Sequence, residues 1–200
     1  MLISEISPAY DLALDSFRDS QGARDVPGLF HAVRKLAYFS DGERSPEAVM
    51  RNRRGACTAK HILLRDLLRR HGERAEVELV AGDFARGIPQ VATMSVPLRA
   101  MIRAAGVRDF HCYVVWHGPD REIRLDATWP DALNAHGFGV NAGWAGKGHT
   151  RLAITPDEIP LRTDDVIAAK SRLLTDLTAH DADKRLLFLK LLSDWIATVS

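Results

Sequence analysis

Cysteine is scarce: Cys57 and Cys112 are the only two in 200 residues. A disulfide-stapled scaffold is therefore excluded, and a free thiol fits a reducing compartment better than an oxidising one. Long apolar runs are missing too. No stretch approaches the roughly 18 consecutive apolar residues of a membrane span. The start, Met1 to Asp11, carries Glu5 and Asp11 where a secretory leader would carry positive charge, so the sequence reads as having no cleaved leader and a cytoplasmic location. Charge of one sign is also lacking. Twenty-seven Lys and Arg stand against 26 Asp and Glu, a net charge of +1, too weak a field to recruit nucleic acid or an anionic membrane. There is no internal repeat and no low-complexity tract. The expected partner is a peptide or small molecule, and the oligomeric state is left open.

What is present is a globular balance of 46% hydrophobic and 26% charged residues, read as one domain over residues 1–200. Leu29, Val33, Leu36 and Ala37 predict a helix within residues 25–40, and Ser45-Pro46-Glu47 predicts a capped restart after Asp41-Gly42. From Cys57 onward, Ile62, Leu63, Leu67 and Leu68 form an apolar stripe ending at Gly72, which predicts a helix with a glycine cap. Glu76–Val80, Phe110–His117 and Glu122–Thr128 read as strands, the last two joined around Gly118-Pro119-Asp120. This order predicts an α+β fold with a helix packed on an antiparallel sheet. Residues 83–107 read as an insert with a short helix from Pro97 to Ala105. The glycine-rich stretch 136–150 reads as a mobile flap or cleft rim, and residues 164–200 as a C-terminal helical hairpin whose role is packing, with an oligomer contact as the lesser option.

Cys57 carries the chemistry. A thiol attacks as thiolate, and a helix N-terminus favours that anion through its unpaired N–H groups and its dipole. The same N–H groups can hold an oxyanion. Taken alone, such a cysteine is more often a small buried helix residue. The hairpin changes that weighting. A two-residue connection through Gly118 and Pro119 would set Phe110 opposite Ala127, Cys112 opposite Leu125 and Val114 opposite Ile123, with His111 directly opposite Asp126 on the other face. A four-residue connection would leave His111 and Asp126 diagonal on one face; a three-residue one without a bulge would separate them. A histidine fixed by a carboxylate keeps its other nitrogen for the sulfur.

Other candidates are weaker. Cys112 belongs to the apolar face, and His117 lies six residues from His111, roughly 20 Å along a strand, too far for a shared metal. His61 stands four residues after Cys57 and could make a two-residue metal pair, but further ligands are not apparent, so no metal and no cofactor are assigned. His31, His71, His136, His149 and His180 carry no motif.

Gly55-Ala56-Cys57, His111-Cys112-Tyr113 and Asp126-Ala127-Thr128, in that order, resemble the motifs of the transglutaminase-like superfamily of papain-like cysteine enzymes. The lead-in Val33–Tyr38 and the helix ending Arg69-Arg70-His71-Gly72 add to the resemblance, which covers residues 29–130. It implies a transglutaminase-like core in which Cys57 attacks an amide or ester carbonyl, His111 relays the proton and Asp126 holds the imidazole, through a thioester intermediate. It favours a protease or amidase over a cross-linking enzyme. The alternatives are a catalytically idle binding or scaffolding module of the same fold and, less well matched, an arylamine acetyltransferase. The insert at 83–107 departs from the general pattern. No side chain is identified to complete an oxyanion hole; Tyr38 and Asn52 are no more than weak candidates.

Overall fold

The structure is a computed structural model that describes residues 7–199. The reading of the first residues as leaderless lies largely outside that range. The first element among the described residues is a helix the sequence reading passed over, α1 (Pro8–Ser20), which buries Leu14 and Phe17. Its Tyr10 hydroxyl donates to Asp66 at 2.8 Å. Helix α2 (Val26–Arg34) starts where Asp25 accepts from the Gly28 N–H. It ends earlier than the apolar spacing suggests. The reason lies in tertiary contacts: Ala37–Tyr38 (β1) pairs in parallel with Arg54–Gly55 (β2), and Lys60 Nζ donates to the carbonyls of Arg34 and Leu36 at the helix end. Helix α3 (Pro46–Asn52) is capped by Ser45, as its sequence predicts.

Helix α4 (Cys57–Arg70) begins at the cysteine. It closes with Gly72 at φ 91° and the Glu73 N–H returning to the Leu68 carbonyl, a left-handed cap that glycine adopts at little cost. Strands β3 (Ala75–Asp83), β4 (Arg108–His117), β5 (Glu122–Leu125) and β6 (Leu161–Thr163) form an antiparallel sheet in the order β5-β4-β3-β6. The fold is thus α+β, with the cysteine-bearing helix packed on an antiparallel sheet.

Both sheet faces are covered. Ile62, Leu63, Leu67 and Leu68 of α4 pack with Val77, Leu79, Cys112 and Val114 in one core. Tyr113 and Val115 face a second core, built with Phe84, Leu98 and Ile102 from the 83–107 segment and Phe188, Leu192, Trp195 and Ile196 of helix α7 (Ala179–Val199). That segment contains α5 (Val96–Ala104), capped by Ser95. The C-terminal helices feed different cores: α6 (Val166–Thr175) places Val166 and Ala169 in the first, and α7 serves the second.

The hairpin register differs from the two-residue expectation. Val114 pairs with Leu125, Trp116 with Ile123 and His117 with Glu122, leaving four residues, Gly118 to Arg121, in the connection. Pro119 holds its own φ near −65°, which is incompatible with the tight type I′ turn that a two-residue link favours. Strand β5 consequently stops at Leu125, and Asp126 follows beyond the ladder, diagonal to His111. Among the described residues no helix is long and apolar enough to cross a membrane.

Candidate active site

Cys57, His111 and Asp126 come together where the start of α4 meets the β4–β5 edge. Cys57 opens its helix behind Gly55, and the packing there is tight: a Cβ on Gly55 would lie 2.6 Å from Val49 Cγ2. Ala56 at the N-cap provides no side-chain acceptor, so the N–H groups of the first turn keep no capping partner. They remain available to an anion.

His111 Nε2 hydrogen-bonds Asp126 Oδ2 at 2.7 Å. The carboxylate is well held. Oδ2 also accepts from the Ala153 N–H at 2.7 Å, Oδ1 accepts from the Thr128 N–H at 3.0 Å, and the Asp126 N–H donates to Thr150 Oγ1 at 2.7 Å. Burial raises the Asp126 carboxyl, but the facing His111 outweighs it and brings the group down to about 2. Burial likewise disfavours a charged His111, yet Asp126 and Cys57 together lift it to about 10.

The other ring nitrogen, His111 Nδ1, is buried without a hydrogen bond of normal geometry. The Cys57 thiol is the neighbour whose protonation it biases. The thiol sits well below its ordinary value: hydrogen bonding with Cys112 favours the thiolate, burial opposes it, and the charges of Lys170 and His111 favour it again. Cys112 moves the other way, raised first by burial and then by the Cys57 thiolate. The two thiols are thus displaced in opposite directions, with Cys57 the more acidic; Thr58 Oγ1 lies 3.9 Å from the Cys57 sulfur and 3.5 Å from that of Cys112.

His61, considered as a metal ligand, is spoken for on both nitrogens. Nε2 accepts from the Ala127 N–H at 2.8 Å, which leaves Nδ1 to donate to the Cys57 carbonyl at 2.8 Å. Burial is the first cause that holds it neutral, with a pKa of about 4. It fastens the cysteine turn to the segment carrying Asp126. Lys60 acts as a second fastener, its Nζ donating to the carbonyls of Arg34, Leu36 and Thr128 at 2.9–3.2 Å; burial brings it down to about 7. Among the described residues no group of three or more His, Cys, Asp or Glu could hold a metal ion. His117, at the far end of β4, hydrogen-bonds Glu76 at 3.1 Å.

Cys57, 5% exposed, lines a cavity of about 270 Å³ that is also walled by Tyr38, Ser40, Asp109, Lys170 and Arg185. His111 and Asp126 sit behind the sulfur and do not line it. Tyr38 thus lies in the cavity wall, whereas Asn52 is exposed and outside it. The glycine-rich segment also stays off the cavity. It is packed: Phe138 stacks on Trp195, Trp144 meets Phe30 edge-on, and the Asn141 side chain donates to the carbonyls of Asp126 and Arg151. Its work is to clasp the Asp126 segment from outside.

Lys170 is the residue sequence reading missed. Its Nζ lies 3.7 Å from Cys57 Sγ, and the residue is 3% exposed. The signal was a charged residue inside an apolar stripe, Val166, Ala169, Lys170 and Leu173, at helical spacing on α6.

No protein-family model matches the chain, and no curated protein matches it. A solved structure of a "Putative Cysteine Protease" from Cytophaga hutchinsonii is similar over 82% of this chain and 56% of its own length, at 13% identity and a TM-score of 0.40. The chain spans just over half the length of that protein.

Proposed function

We propose that the chain is a cysteine-dependent acyl-transfer enzyme of transglutaminase-like type, hydrolysing an amide or peptide-type bond, with Cys57 as nucleophile, His111 as proton relay and Asp126 as the group that holds the imidazole. The observation that carries this reading is the divided use of His111. One nitrogen is locked to Asp126 at 2.7 Å, and the other is buried, unsatisfied, beside a cysteine that opens a helix at a cavity wall.

A structural histidine has no reason to leave that nitrogen bare, since a buried unpaired polar group costs about 1–3 kcal/mol. An imidazolium beside a thiolate uses it. This argues against the idle-module alternative.

In this mechanism the thiolate adds to the carbonyl carbon, the first-turn N–H groups of α4 receive the developing oxyanion, and the His111 imidazolium gives its proton to the departing amine. Water, or an amine, then resolves the thioester with His111 acting as base. The cavity, at about 270 Å³, holds a single side chain or a small acyl group rather than a folded protein surface.

The test is a panel of peptide, isopeptide, ester and acyl-carrier substrates followed by intact-protein mass spectrometry. An acyl adduct mapping to Cys57 and missing from Cys57→Ala supports the proposal. No adduct with any member, or one that persists in Cys57→Ala, overturns it.

A further inference from the structure

We propose that Lys170 is a catalytic residue, the side-chain donor that receives the oxyanion when Cys57 attacks; this rests on the acyl-transfer reading above. The argument begins with what the ammonium lacks. Lys170 is 3% exposed, yet no carboxylate of the described residues lies within ion-pair distance, and its one hydrogen-bond contact among them is the Cys57 sulfur at 3.7 Å. The other deeply buried lysine shows the contrast. Lys60 spends its three N–H groups on three carbonyls and is structural.

A buried ammonium without a close counter-ion is expensive. Here the nearby anion is the thiolate itself. The charged groups around it fit that assignment: Asp109 is engaged by Arg185, whose Nε donates to Oδ1 at 2.5 Å, and burial, with Cys57 beside it, pushes the Cys112 thiol up. The Cys57 thiolate and Asp109 outweigh burial and keep Lys170 charged.

The chemistry then moves charge past this ammonium. As the S–C bond forms from a sulfur lone pair, the carbonyl π pair shifts to oxygen, so the negative charge leaves sulfur and appears on an atom bonded to the same carbon. An ammonium already 3.7 Å from the sulfur can reach that oxygen at about 2.7–3.1 Å, the span of a working oxyanion donor. The contact is stronger to the compact oxyanion than to the diffuse thiolate, so it favours the transition state over the ground state. On collapse the pair returns to the carbonyl, the bond to the leaving group breaks, and the leaving group takes the proton from His111. Lys170 moves no proton.

The helix holding Lys170 is fixed for this role. Asp165 caps α6, Val166 and Ala169 are buried beneath it, Arg69 pairs with Asp164 at 2.7 Å, and Arg44 donates to Ser171 at 2.9 Å.

Two reagents separate oxyanion support from thiolate support. p-Nitrophenyl acetate acylates through a tetrahedral oxyanion, whereas iodoacetamide alkylates by displacement without one. Both rates are followed with pH up to their alkaline plateaus, where Cys57 is fully thiolate, in wild type, Lys170→Met and Lys170→Gln. Acylation plateaus are expected to fall about 10²–10³-fold in Lys170→Met, and less in Lys170→Gln, while alkylation plateaus stay within about threefold of wild type, which also reports an intact fold. Equal falls in both rates, or undiminished acylation in either variant, overturn the Lys170 role alone. A wild type that alkylates but never acylates overturns the acyl-transfer reading with it.

Discussion

Replacing Asp126 with asparagine removes one buried charge while leaving an oxygen to accept hydrogen bonds. Its cost can be read from the two partners. The carboxyl drops from 3.8 to about 2, and the imidazole rises from 6.5 to about 10. The two displacements differ because His111 is lifted by Cys57 as well, so the smaller one measures what the carboxylate adds. At about 1.4 kcal/mol per pH unit, the charge stabilises the fold by about 2–3 kcal/mol. Its pH window follows from the two directions. A depressed acid stabilises above its unfolded value and loses that contribution as pH falls through about 2; a raised base stabilises below 6.5 and loses it as pH climbs through about 10. The wild-type advantage over Asp126→Asn should therefore be largest between about pH 4 and 6.5 and shrink on either side. Urea unfolding followed by tryptophan fluorescence from pH 3 to 9 measures it. A difference that is flat with pH, or greatest at pH 9, would refute the reasoning.

Gly55→Ala places a methyl 2.6 Å from Val49 Cγ2 and is expected to lower stability by about 1–3 kcal/mol; thermal melting should show Val49→Ala restoring part of the loss in the double variant. Asn141 sits at φ 53° with its side chain bridging the Asp126 and Arg151 carbonyls. Asn141→Ala and Asn141→Gly should each lose about 1–3 kcal/mol of hydrogen bonding, and alanine should cost more because it also resists a left-handed backbone; wild-type unfolding midpoints in both variants would count against the clasp.

The sequence carried the cysteine helix clearly, because Ile62, Leu63, Leu67 and Leu68 share one stripe and Gly72 marks its end. The pairing of His111 with Asp126 was visible in outline only. Alternation put both on one face, but register depends on how many residues the turn consumes, and that was decided by Pro119 and by the core pairing of Val114 with Leu125. The glycine-rich segment misled through composition: its glycines signal freedom, while Phe138, Val140 and Trp144 supply burial that glycine content does not reveal. Lys170 lay 113 residues from Cys57, and only tertiary packing brings it to the sulfur. Helix α1 was overlooked because its buried residues, Leu14 and Phe17, form a sparse stripe.

The central claim is that Cys57 is the activated thiol and that His111, with Cys112 and Lys170, activates it. Iodoacetamide at pH 6, with the labelled sites read by peptide mass spectrometry, tests it directly. Cys57 should be modified at least about tenfold faster than Cys112, because the two thiols are displaced in opposite directions and the thiolate is the nucleophile, and His111→Ala should slow Cys57 alone. Equally slow modification of both cysteines, unchanged by His111→Ala, would contradict the account.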